Sequence, residues 1–329
     1  MSGRGVFPYG KQPLKGGRRA CPLSLFAAGK CFSFLCRFGG GTETIMNIKD
    51  LFPEGEKPLD RLLPDGGFVG IFRTMGFIGD SLASGEFEAT AANGGKTYHD
   101  MYEYSWGQYV GRIAGLTARN FSRGGMTARE MAESYYIPCR LYERSHLCQG
   151  YVMALGVNDI SQIIVGSGEL GELSDIDPKN CENNKKTFIG YYASLLQRVR
   201  ASAPDSIFFL MTIPRGENPA AGQVTPAEKS GDVDALTLRE RLGDRHRELL
   251  FGLADMFPNV YVLDFRTYSP VCDEEYLRLF FYGHMSECGY LLTAKMVVSY
   301  IDYLIRHNMR AFKQTALIGT PYRNTTDAV

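Results

Sequence analysis

The chain has 329 residues, long enough for one large domain or two small ones with an ample core; 44% are apolar and 22% charged. Its 36 basic residues balance 36 acidic ones and the pI is near 6.9, a composition that argues against disorder and gives no electrostatic reason to expect nucleic acid as a partner. No run approaches the ~18–20 apolar residues of a membrane span. Eight cysteines (Cys21, Cys31, Cys36, Cys139, Cys148, Cys181, Cys272 and Cys288) form no C-x-x-C pair and show no zinc spacing. They read as free thiols of a reducing, cytoplasmic compartment, mostly buried.

Residues 1–45 stand apart. They begin basic and glycine-rich, and the apolar stretch that follows is broken at Gly29-Lys30, whereas a secretory signal needs an unbroken ~7–15 apolar residues and a small-residue cleavage site. The expectation is a disordered tail or misassigned start ahead of Met46, then an N-terminal extension over 46–72, a main domain over 73–310 and a C-terminal tail over 311–329. Within the main domain short apolar runs alternate with longer segments of helical periodicity, the signature of βαβ units. Strands are predicted at 74–79, 118–121, 150–155, 206–213 and 260–264. Helices are predicted at 104–118, from a capping box at Thr127–Glu130, at 183–203, at 237–256 and at 286–307. Helices between parallel strands must cover both faces of the sheet, so the predicted architecture is a three-layer α/β/α sandwich on a five-stranded, mostly parallel, flavodoxin-like sheet. The long connections 86–103, 160–180 and 214–236 leave strand ends, where ligands of open α/β sheets bind, and are candidates for a pocket wall.

Candidate chemistry gathers at those ends. Gly79-Asp80-Ser81 follows the first strand and is where an α/β hydrolase exposes a nucleophile, although the same letters can simply cap a helix. After the second strand, Asn120-Phe121-Ser122-Arg123-Gly124-Gly125 offers glycine N–H groups with no side chain in the way. After the third, Leu155-Gly156-Val157-Asn158-Asp159 offers an amide donor. His284, in Tyr282-Gly283-His284-Met285, stands just before the last helix; His99, His146, His246 and His307 carry no functional expectation.

This ordered set of GDS, NFSRGG, LGVND and a late histidine resembles the SGNH hydrolases, also called GDSL esterases and lipases, over roughly 73–307. The resemblance implies that Ser81 is the nucleophile and His284 its general base. It also implies an oxyanion hole made by Ser81 N–H, Gly125 N–H (Gly124 is one residue away) and the Asn158 amide, with no metal or organic cofactor. One departure is plain: such enzymes usually carry an Asp three residues before the histidine, and this chain has Phe281 there. Three explanations stand open. A backbone carbonyl serves a Ser81/His284 dyad, another acid substitutes (Asp264, Asp273, Glu274 and Glu275 are nearest in sequence), or the site is degenerate and only binds a ligand. The activity implied is hydrolysis of a carboxylic ester through an acyl-Ser81 intermediate, as a short-chain esterase. Aromatic and polar residues after Ser81 (Tyr98, His99, Tyr102, Tyr104, Trp106) suit a carbohydrate ester, unless Trp106 and Tyr109 merely open a core-facing helix. Lipase or thioesterase chemistry is the rival within the class, and a non-catalytic binding protein the rival outside it.

Overall fold

A computed structural model describes residues 47–216 and 233–320. The expectations for residues 1–45, three of the cysteines and most of the 214–236 connection lie outside the described residues. In chain order the strands are β1 (Thr74–Gly79), β2 (Glu86–Thr90), β3 (Lys96–Asp100), β4 (Thr117–Asn120), β5 (Gly150–Ala154), β6 (Ile207–Met211), β7 (Val260–Leu263), β8 (Phe281–Tyr282) and β9 (His284–Met285). The helices are α1 (Ser81–Ser84), α2 (Trp106–Ala114), α3 (Ala128–Glu130), α4 (Val157–Ile164), α5 (Phe188–Ser202), α6 (Val233–Met256), α7 (Phe265–Tyr268), α8 (Glu274–Phe280) and α9 (Glu287–His307).

The main sheet has five strands in the order β4-β1-β5-β6-β7, every pair parallel. Taken in chain order this is 2-1-3-4-5, the flavodoxin-like doubly wound arrangement. β1, β5, β6 and β7 are largely apolar on both sides because helices cover both sides, while the edge strand β4 is partly exposed. On one face Val110 of α2 and Tyr290, Ala294, Val298 and Ile301 of α9 pack against Phe77 and Phe209. On the other, Leu195, Leu196 and Val199 of α5 and Leu249, Leu250 and Leu253 of α6 pack against Tyr151 and Phe208. The result is the expected α/β/α sandwich. α9 is long and apolar enough by composition to cross a membrane, but 67% of its most apolar window is buried inside the protein, as in a core helix.

Three features differ from the sequence reading. Residues 86–103, expected as a connection, form an antiparallel hairpin of β2 and β3. Residues 47–72, expected as an extension, are packed on α9: Leu63 N–H donates to Ser299 Oγ, Phe68 N–H to Asp302 Oδ1, and Val69 and Phe72 are core residues. Residues 311–320, expected in a tail, contribute the buried Phe312, stacked near Phe209 and Tyr261. All five cysteines among the described residues are unpaired.

Candidate active site

β1 ends at Gly79, and Asp80 caps the short α1 by accepting Leu82 N–H on Oδ1 at 3.0 Å. The capping reading of the GDS tripeptide is thus correct for Asp80, and it sets Ser81 on the first helical position at the carboxyl edge of the sheet. No hydrogen bond engages Ser81 N–H or Ser81 Oγ among the described residues. Asp80 is buried with its Oδ2 unpartnered, and burial pushes its carboxyl up to about 7.

The second block is fastened to this turn. Arg123 N–H donates to Gly79 O at 3.4 Å, Asn120 Nδ2 to Ser84 O at 3.3 Å, and Ser122 Oγ to Phe77 O at 3.1 Å. Gly125 has φ +71°, the left-handed region where glycine is at ease, and its N–H donates to no group among the described residues. The third block joins the second: Asn158 Nδ2 donates to Met126 O at 3.1 Å, and the Asp159 carboxylate accepts Ala128 N–H at 3.1 and 3.2 Å. Asn158 keeps its second amide hydrogen for another acceptor. Burial raises the Asp159 carboxyl to about 7 as well, with nearby Asp80 adding to the shift.

His284 stands on β9, which packs against α1 and β2. Tyr290 of α9 closes the arrangement, its hydroxyl meeting Glu86 O at 2.7 Å and Ser81 O at 3.3 Å. The imidazole lies between two carboxylates that sequence reasoning missed. Glu86 Oε1 is 3.0 Å from Nε2, and Glu88 Oε2 is 4.0 Å from Nδ1. Nδ1 itself is buried without a hydrogen-bond partner.

None of the four acids nearest in sequence pairs with His284. Asp264 is buried against Arg247, whose Nε reaches both carboxylate oxygens at 2.9 Å, and against the Thr212 hydroxyl. Asp273 caps α8 by accepting Tyr276 N–H. Glu274 and Glu275 are exposed in the first turn of α8. Phe281, at the position of the usual acid, lines an apolar cavity of ≈ 80 Å³ together with Asp80, Leu82, Tyr276 and Met285. Trp106 is buried at the start of α2, edge-on to Phe77 at 5.1 Å, so it belongs to the core, whereas Tyr98, Tyr102 and Tyr104 stay exposed.

The serine, glycine, asparagine and histidine blocks thus follow one another, in chain order, about the carboxyl edge of a flavodoxin-like parallel sheet. No family model matches the chain, and no curated protein matches it. Among solved structures the chain is similar to a family two carbohydrate esterase from Clostridium thermocellum in complex with cellohexaose (17% identity, TM-score 0.45, covering 73% of this chain and 65% of that one). It is also similar to an acetylxylan esterase from Geobacillus stearothermophilus, solved as a catalytic mutant (16%, TM-score 0.40, 73% and 96%), and to a G-D-S-L family lipolytic protein of Desulfitobacterium hafniense (16%, TM-score 0.39, 69% and 99%). Likeness at this level transfers neither activity nor substrate, and the functional reading rests on the residues.

Proposed function

We propose that the protein hydrolyses carboxylic esters of short acyl groups, with Ser81 as nucleophile and His284 as general base. One observation carries the reading. The Glu86 carboxylate reaches from His284 Nε2, 3.0 Å from Oε1, to Gly124, where a Cβ would stand 2.1 Å from Oε2. The imidazole and the oxyanion loop are therefore separated, beside Ser81, by the width of a carboxyl group, which is also the width of an ester.

In the forward reaction Ser81 Oγ attacks the acyl carbon while His284 takes the hydroxyl proton and passes it to the departing alkoxide. The carbonyl oxygen, now negative, is held by Ser81 N–H, Gly125 N–H and the spare Asn158 amide hydrogen. Water gives a proton to His284 and attacks the acyl-Ser81 ester; the proton returns to Ser81 as the acid leaves. The apolar cavity beside Asp80 and Leu82 suits the alkyl end of the acyl group. The exposed rings of Tyr98 and Tyr282 suit a polar, ring-shaped alcohol such as a sugar.

The test is hydrolysis of a short aryl acetate and of acetylated oligosaccharides by wild type, Ser81→Ala and His284→Ala. Turnover by wild type that is lost in both variants is the expected result. Activity surviving Ser81→Ala would overturn the nucleophile, and a wild type inert on every ester would leave a binding protein.

A further inference from the structure

We infer that Glu88, carried by the β2–β3 hairpin, is the acid that orients His284, so that the triad is Ser81, His284 and Glu88 with its acid moved from the turn before the histidine to the strand after the serine. This rests on the hydrolase reading above. In a strand alternate side chains share a face, and residues opposite one another in an antiparallel pair share it too. Glu86 and Glu88 lie on one face of β2, and Tyr98 is paired across from Glu88. That face covers the imidazole, Tyr98 meeting the ring edge-on at 5.8 Å.

The two carboxylates have different surroundings, and these decide which edge of the ring reacts. Glu86 joins Nε2 to Gly124, so the Nε2 edge looks toward the oxyanion loop, where the substrate carbonyl must lie. A general base has to face that loop, which makes Nε2 the reacting nitrogen and leaves Nδ1 to carry the orienting hydrogen bond. Nδ1 is buried and unpartnered, and the carboxylate in front of it is Glu88 at 4.0 Å. Glu88 is steadied on its other oxygen by Lys96 Nζ at 2.8 Å. It fits a notch left by Gly283, where a Cβ would stand 2.3 Å from Glu88 Cδ. A closing movement of about 1 Å makes the hydrogen bond, an adjustment common when a substrate fills an empty catalytic site. Glu86 then occupies the place of the ester and swings out as substrate enters.

The experiment compares wild type with Glu88→Gln, Glu88→Asp and Glu86→Gln, each checked for folding by circular dichroism. Rates are read on a short aryl acetate, and the low-field imidazole proton by NMR, assigned by its loss in His284→Ala. Glu88→Gln is expected to lower kcat on the order of 10²–10⁴-fold, the range for a triad acid, with little change in KM, and to abolish the low-field Nδ1 proton. Glu88→Asp should keep the resonance and recover part of kcat, and it decides the matter if the glutamine variant is unfolded. Glu86→Gln should keep the resonance and act on KM. The inference is overturned if rate and resonance both survive Glu88→Gln, if Glu88→Asp leaves both unchanged while Glu88→Gln is unfolded, or if the resonance disappears in Glu86→Gln instead. Because the resonance needs no turnover, a wild type inert on all esters defeats the proposed function, while the presence or loss of the resonance in Glu88→Gln still decides whether Glu88 holds Nδ1.

Discussion

His246 fills the space that Gly156 leaves by having no side chain. Its Nε2 donates to Leu155 O at 3.1 Å, and a Cβ on Gly156 would stand 2.5 Å from that nitrogen. Gly156 has φ +133°, a backbone region that residues with side chains avoid. The turn that presents Asn158 is thus built from a glycine and a buried histidine from α6. Gly156→Ala is expected to cost about 2–4 kcal/mol from backbone strain and steric displacement together, and, with the proposed oxyanion hole, to lower aryl acetate turnover by moving Asn158. Urea denaturation and aryl acetate turnover on the same preparation check both effects.

The buried carboxyl of Asp80 gives stability a definite pH dependence. Its folded value, about 7, lies above the 3.8 of a free carboxyl, because burial disfavours the charge. The folded state therefore keeps the proton at pH values where the unfolded chain has released it, and stability falls as pH rises from about 4 to about 7. Asp80→Asn keeps the Oδ1 cap on Leu82 N–H and removes the titration. The variant should gain on wild type across that window, by up to a few kcal/mol on the order-of-magnitude scale of such shifts, with the smallest difference near pH 4. Denaturation midpoints measured at several pH values give the sign; a constant difference would refute it.

His246 has the opposite sign. Burial lowers it to about 4 from 6.5, so the unfolded chain binds a proton that the folded one refuses. Its stabilising contribution is complete above about pH 6.5 and is lost as pH falls toward 4. His246→Gln is expected to weaken the protein at neutral pH, since the Leu155 carbonyl contact is disturbed, while flattening this acid-side loss. The slope of stability against pH between 4 and 6.5, compared with wild type, is the readout.

What could be read in the sequence and what could not follow from where the chemistry sits. Four of the five sheet strands were legible because parallel strands covered on both faces are continuous apolar runs, whereas β4, Thr-Ala-Arg-Asn at the sheet edge, is not; the serine and asparagine blocks were legible because each follows such a run. The β2–β3 hairpin is hard to read from the sequence although Asn93-Gly94-Gly95, a turn signal, lies between its strands. β2 alternates Glu86 and Glu88 with Phe87 and Ala89, yet it is short and only half-buried, with Phe87 on the core cluster and the glutamates facing His284 instead of solvent, so two exposed-looking acids mask the site. The acids facing the imidazole are illegible for a related reason: nearness in sequence to His284 singles out Asp264, Asp273, Glu274 and Glu275, whereas the contacts come from a strand some 200 residues earlier, just after Ser81. His246 gave no sign, because in sequence a histidine amid the charged residues of a helix reads as a surface residue, although this one is buried with its Nε2 on Leu155 O.

Tyr290 holds the hairpin and the nucleophile turn together through a single hydroxyl, shared between Glu86 O and Ser81 O. Tyr290→Phe keeps the buried ring and leaves those carbonyls without this partner, a change of about 1–3 kcal/mol. The expected result is a modest loss of thermal stability with a larger fractional loss of kcat, because the carboxylates beside His284 are no longer fixed relative to Ser81. A fall in stability with kcat unchanged would separate the hairpin from catalysis.

Tyr282 gives the sharpest test of the alcohol side of the substrate. It is 65% exposed, with its hydroxyl 3.5 Å from Thr90 Oγ1, and it lies two residues from His284, so its ring is available to a group leaving the acyl carbon. An aromatic face beneath a sugar ring contributes about 1 kcal/mol, which corresponds to roughly a five-fold change in affinity. Tyr282→Ala should therefore raise KM several-fold for an acetylated oligosaccharide and leave kcat in place. Ethyl acetate has no ring to stack, and its KM should not move. Equal effects on the two esters would show that Tyr282 supports the fold of the β8–β9 turn instead of contacting the alcohol, and the sugar-ester reading would lose its physical basis.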